Sequence, residues 1–168
     1  MPRRKIEIPI GPSIAYIPLT KNQSALIDSD VVDKLPNLSW IAEWNPYTKS
    51  FYAVTYVWNG EKQNKVRLHR HLLGFPPFVD HRNHNTLDNR ICNLRSVTKS
   101  QNCQNARHNY GELPHFKGVG YFPTRNKWRA RIGVNGKSII IGYFKTPEEA
   151  YSAYKSAALK HHGEFACF

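Results

Sequence analysis

Val79-Asp-His-Arg-Asn-His-Asn-Thr-Leu-Asp-Asn-Arg90, followed by Asn93-Leu-Arg-Ser-Val-Thr98 and Lys99-Ser-Gln-Asn102, is the stretch whose reading decides the fold. Phe78 to Arg82 reads as a short strand. Asn83 to Asn93 is polar and rich in Asn and Asp, whose side chains bond to their own backbone, so a loop is expected there. Leu94 to Thr98 alternates like a second strand. Thr98 and Gln101 stand at the spacing of a capping box, which predicts a helix from Lys99 to about Arg107. The order is strand, loop, strand, helix.

The residue types in this frame suit one chemistry. Hydrolysis of a phosphodiester needs a base for the water, a cation for the phosphate and a scaffold that holds both in line. Asp80 and His81 are neighbours at a strand end, so their side chains point to opposite sides. Asn102 falls in the first turn of the expected helix. Carboxylate and amide oxygens are hard donors, suited to Mg²⁺ or Mn²⁺. A neutral imidazole at His81 titrates near working pH, as a general base should. A plain turn cluster is the competing reading of Asp-His followed by Asn-rich sequence, because these are ordinary loop residues.

The combined string resembles the HNH endonucleases encoded in phage genomes and mobile introns. The resemblance covers residues 65–107 and includes Leu68-His69-Arg70 as a lead-in segment, with residues 17–60 similar in a looser way to the strands that precede the motif. It implies that Asp80 and Asn102 are metal ligands and that His81 is the general base. It gives Asn93 the middle position of the motif, pinning the loop through backbone hydrogen bonds. Asn rather than His at position 102 points to magnesium, with manganese as a substitute. His69, His71 and His84 are read as structural or phosphate-facing.

Upstream, residues 14–60 read as short strands and turns. Phe51 to Trp58 is aromatic and β-branched and ends at the hairpin signal Asn59-Gly60. A short helix is expected over Asp28 to Leu35. Lys65 to Leu73 reads as a strand closing in a helical turn before Gly74. Trp40 and Trp44 are expected in the core. Arg3, Arg4 and Lys5 read as a solvated tail, and the prolines that follow leave no apolar signal segment.

Downstream, residues 108–114 read as a linker, and strands are expected at Lys117 to Phe122, Lys127 to Val134 and Ser138 to Phe144. Asn135-Gly136 is a hairpin turn signal. Thr146-Pro-Glu-Glu149 combines an N-cap, proline at the first helical position and a capping box. Ala150, Ala153, Tyr154, Ala157 and His161 recur at helical spacing. Lys127, Arg129 and Arg131 alternate with Trp128, Ala130, Ile132 and Val134, so the cations share one strand face and the apolar residues pack on the helix. Phe116-Lys-Gly-Val119, Lys127-Trp-Arg-Ala-Arg-Ile132 and Thr146-Pro-Glu-Glu-Ala150 resemble the plant ethylene-response-factor domain. That resemblance implies a three-stranded sheet laid in the DNA major groove. Gly120, Phe122 and Ile140 depart from its base-reading positions, so its target sequence does not carry over.

Charge agrees with a nucleic-acid partner. The chain has 168 residues, formal net charge +12 and pI about 9.8, which favours a polyanion. Lys117 to Lys145 carries seven cations and no acid, and Lys117, Arg125, Lys127, Arg129, Arg131 and Lys137 are the expected DNA contacts. Cys92, Cys103 and Cys167 form no metal-binding or disulfide pattern, as in a reduced, cytoplasmic protein. No basic amphipathic helix or long apolar run points to a membrane. The expectation is an α+β chain: a nuclease domain over residues 1–107 and a DNA-binding domain over 115–168, acting on double-stranded DNA as a monomer or homodimer. The alternatives are a DNA-binding regulator with a degenerate HNH fold and an RNA-binding factor.

Overall fold

Alternate burial in two short apolar segments starts the fold. In the computed structural model, which describes residues 6–8, 13–106 and 116–168, Ile14–Pro18 (β1) and Ser24–Asp28 (β2) pair antiparallel. Ala15 and Ile17 face Ala25 and Ile27 inward, and all four are buried. The segment expected as a helix after β2 is a 3-10 turn, Ser29–Lys34. Ile41–Asn45 (β3), Ser50–Trp58 (β4) and Gln63–Arg67 (β5) then form an antiparallel sheet in that order. The helix Leu68–Leu72 (α1) follows β5 directly and stops before Gly74, which takes a left-handed φ of 72°. Leu19, Leu35, Trp40, Ala42, Ala53 and Leu68 complete this core. Trp44 does not join it. Its ring lies edge-on to Phe51 and stays 46% exposed, because among the described residues the edge strand β3 pairs with β4 alone.

The decisive stretch folds in the expected order. Val79–His81 (β6) pairs antiparallel with Leu94–Ser96 (β7), and Lys99–Asn105 (α2) begins with the Thr98–Gln101 capping box. The helix is shorter than expected, since Ala106 is already extended. Val119–Phe122 (β8), Lys127–Val134 (β9) and Lys137–Phe144 (β10) form the three-stranded sheet β10-β9-β8, against which Pro147–His162 (α3) packs. Asn135 and Gly136 carry the positive φ angles of the hairpin turn, and Thr146, Pro147 and Glu149 start α3 as their types require. The buried stripe of α3 runs through Ala150, Tyr154, Ala158 and His162. His162, and not the expected His161, ends it, because its Nε2 meets Gly133 O at 2.8 Å. Trp128 is only half-buried, against Tyr121, while Ala130 and Ile132 fill the space under α3.

The chain falls into two compact units, Met1–Ser96 and Val97–Phe168. The expected linker at 108–114, the basic tail at 3–5 and Arg107 lie outside the described residues. This division places α2 in the second unit. The reason is visible at its C-terminus: Lys117 Nζ donates to Gln104 O at 2.6 Å and to Ala106 O at 2.7 Å. A cation is stabilising at the unpaired carbonyls of a helix end.

Candidate functional site

Strand alternation gives Asp80 and His81 different surroundings. Asp80 faces Arg95, its direct cross-strand partner on β7. Arg95 Nε and Nη2 reach Asp80 Oδ2 at 2.8 and 2.7 Å, and both side chains are buried. His81 points the other way, into a cluster of rings. Its centroid lies 5.2 Å from that of His69, edge-on, and 6.4 Å from that of Tyr52. Tyr52 in turn lies 5.6 Å from His69. β4, α1 and β6 each contribute one ring.

Both histidines are held neutral. Burial pushes His69 down to about 3, and the neighbouring His81, Arg67 and Arg70 push the same way. Burial also lowers His81, opposed by the nearby Asn89 amide, which stops short of a well-formed hydrogen bond, and by the carboxylates of Asp80 and Asp88. His81 Nε2 is buried with no hydrogen-bond partner among the described residues. Beside it Asn89 is 1% exposed, and neither its amide nitrogen nor its amide oxygen completes a hydrogen bond. A neutral imidazole keeps one ring proton and a lone pair on its other nitrogen, so His81, with Nε2 free of a partner among the described residues, can accept a proton there, as a weaker base than a solvated imidazole.

The loop between β6 and β7 is tied down at several points. Asn93 Oδ1 accepts from Asn83 N at 3.0 Å, and its Nδ2 donates to Asp88 O at 2.7 Å. Arg82 N donates to Asn93 O at 2.9 Å. Asp88 is buried and grips Arg90 through two contacts of 2.8 and 2.7 Å, while Asn83 Nδ2 donates to it at 2.8 Å. Arg90 accordingly holds the Asp88 carboxyl below its ordinary range. Leu26 N donates to Leu87 O, and Asn89 N to Leu26 O, so residues 87–89 lie along β2 like a short parallel strand. That anchoring fixes where Asn89 sits.

The other candidates are placed as follows. Asn102 is half-buried in α2, in the second unit, whereas Asp80, His81 and Asn93 belong to the first. Lys117 is half-buried on the carbonyls that end α2. Lys127, Arg131 and Lys137 are exposed. Arg125 lies over the Tyr143 ring at 4.4 Å and Arg129 over Phe122 at 5.0 Å, and the two rings meet at 5.5 Å. His84 takes a left-handed φ of 61° in the loop, and His71 packs against Trp40 and Phe75.

Residues 77–104 match the HNH endonuclease family model. The match begins just before β6 and ends within α2. The matched segment is the one that folds in the strand-loop-strand-helix order. Over 126 residues, 70% of its length, the chain is 33% identical to a protein of Acanthamoeba polyphaga mimivirus named as an uncharacterized HNH endonuclease. The chain spans 62% of that relative's length. No helix among the described residues is long and apolar enough to cross a membrane.

Three residues of the HNH segment's surroundings escaped the sequence reading: Arg95, Asn89 and Tyr52. Arg95 was accessible in principle, since a hairpin register that sets His81 against Leu94 puts Asp80 against Arg95. Nothing local in the sequence singles out Asn89 from the other loop asparagines. Tyr52 stands 29 positions before His81 in the chain, and only folding joins them.

Proposed function

We propose that the chain is a divalent-metal-dependent DNA endonuclease of the homing type, with His81 as its general base. The observation that carries this reading is the buried, neutral His81, its Nε2 unpaired, at the end of β6 in the HNH segment. Nε2 takes a proton from water as the water oxygen attacks phosphorus and the ester oxygen leaves. Arg95 orients the Asp80 carboxylate, and Asn93 holds the loop that carries the rest of the motif.

The motif resemblance makes Asp80 and Asn102 each a candidate oxygen donor for a divalent cation. Their donor set fits a hard cation. Each offers oxygen, a hard donor. Magnesium suits such a site, because it keeps several waters and takes further oxygens from phosphate. When bound, it neutralises charge on the scissile phosphate and the leaving oxygen.

The three-stranded sheet of the second unit would supply affinity, in the manner of the ethylene-response-factor domain. Its outer face presents Lys127, Arg129 and Arg131 on one strand, and Arg125 and Arg129 are ordered by stacking on aromatic rings. One HNH segment per chain means one nick per chain, or a double-strand break from two chains.

A plasmid-nicking assay tests the proposal. Cleavage should need Mg²⁺ or Mn²⁺ and stop in EDTA. His81→Ala should lose about 10²–10⁴ in rate while DNA binding persists, as expected for loss of a general base. Binding without cleavage by the parent chain under every divalent metal would leave a DNA-binding regulator instead.

A further inference from the structure

The β4–β5 hairpin outruns its own sheet. β3 pairs with β4 only as far as Val54, opposite Ile41. Thr55 marks the end of that contact, its hydroxyl donating to Ser39 O at 2.8 Å. Beyond it, among the described residues, Tyr56, Val57 and Trp58 pair with Lys65, Asn64 and Gln63 alone. The ribbon closes in a tight turn, where Asn59 Oδ1 accepts from Glu61 N and Lys62 N.

One face of this ribbon begins at the candidate active site. Tyr52, Val54, Tyr56 and Trp58 share a face by strand alternation. Tyr52 touches the His69 and His81 rings, and Val54 is fully buried. Tyr56 and Trp58 then emerge into solvent, 42% and 62% exposed. Trp58 lies on the order of 20 Å along the strand from Tyr52, at about 3.4 Å per residue. Large exposed rings on a polar, protruding element mark a contact surface.

The charges near it favour a polyanion. Lys65 and Arg67 stand on the same face as Tyr56, and Lys62 lies in the turn. Two acids are nearby. Glu61 is exposed in the turn. Glu43 is held by Lys65 at 2.7 and 2.8 Å and accepts from the Tyr56 hydroxyl at 3.3 Å.

We propose that the ribbon from Tyr56 to Lys65 is a second DNA-binding element, entering a groove of the duplex beside the cleavage site. The proposal rests on the endonuclease reading for the location of that site. A major groove admits a two-stranded ribbon. Continuity with the His81 cluster points to duplex DNA as the occupant, with Lys62 and Arg67, outside the Lys65–Glu43 pair, as the cations for its phosphates. The aromatic rings make apolar contacts with the groove and the cations meet its phosphates.

The test uses the full chain in EDTA, so that binding is read without cleavage, and titrates a fluorescent mixed-sequence duplex at several salt concentrations. The Tyr56→Ala/Trp58→Ala double variant should bind about ten-fold or more weakly, as when aromatic anchors of an interface are truncated. Its salt slope should match the parent's, because no cation has been removed. Tyr56→Phe/Trp58→Phe should bind close to the parent. Thermal unfolding of each variant, compared with the parent, establishes that the fold is intact, and both side chains are exposed enough for that to be expected.

Parental duplex affinity in the alanine variant overturns the proposal. So does a loss seen on single strands alone, or a parental dimer in sedimentation that the alanine variant lacks, which would make the ribbon a self-association surface. The two readings fail separately. A parent that binds through the ribbon and never cuts removes the endonuclease. A parent that cuts, with an alanine variant that binds equally well, removes the ribbon.

Discussion

Asn89 shows what a single residue can cost and supply. Its amide is almost wholly buried and makes no completed hydrogen bond, and each unsatisfied buried polar group costs about 1–3 kcal/mol. Stability alone would favour an apolar residue there. The amide stands beside the His81 ring, where a polar neighbour can fix the orientation and tautomer of a base. Asn89→Leu, similar in size, should therefore leave stability equal or raise it by about 1 kcal/mol while lowering the cleavage rate. Urea denaturation and single-turnover cleavage on the same preparation check this. A leucine variant that cuts at the parental rate would show that the amide does not serve the base.

At the scale of elements, the second unit depends on one close approach. Gly118 precedes β8 with φ of +74°, and a Cβ built there would stand 2.2 Å from the Tyr154 ring and 2.6 Å from Arg131 O. Tyr154 belongs to the small core that joins α3 to the sheet, with Ile132 and Ala158, so it has little room to retreat. Gly118→Ala should destabilise this unit by about 1–3 kcal/mol from overpacking, and by roughly 1 kcal/mol more from the left-handed backbone. Urea denaturation followed by far-ultraviolet circular dichroism measures it. A melt coincident with the parent's would mean that α3 shifts freely on the sheet. In the first unit the corresponding device is polar: Arg95 matches the buried charge of Asp80 across two three-residue strands.

For the whole molecule, the buried histidines make stability depend on pH. His69 titrates at about 3 when folded and near its ordinary 6.5 when unfolded. Its folded pKa is depressed, so its contribution is complete above pH 6.5 and declines as pH falls towards 3. Through that window the unfolded chain binds a proton that the folded chain refuses, at about 1.4 kcal/mol per pH unit. Burial lowers His81 as well, which adds to the slope just below 6.5. The interval from pH 6.5 to 5 isolates this effect, because the carboxylates of Asp88 and Glu43 are held below their ordinary values and lose their contributions only at lower pH. Denaturant titrations at pH 7, 6 and 5 should show a steady loss in the parent and a shallower one in His69→Phe. Equal slopes would mean that His69 takes up its proton in the folded state.

The sequence by itself determined the local pieces. The capping boxes at Thr98 and Thr146, the turn at Asn135-Gly136 and the strand alternation of residues 127–134 were legible because each rests on neighbours within a few positions. The motif string around Asp80 and His81 was legible as chemistry for the same reason. Tertiary structure decided which groups meet. It put Tyr52 and His69 against His81, Arg95 against Asp80, and Asn89 unpaired beside the ring. It also set Lys117, one of the expected DNA contacts, on the carbonyls that end α2, and left Trp44 exposed where composition placed it in the core. These outcomes depend on distances between residues far apart in the chain. Propensity and periodicity describe a segment's faces, but not which other segment will cover them or strip water from a particular imidazole.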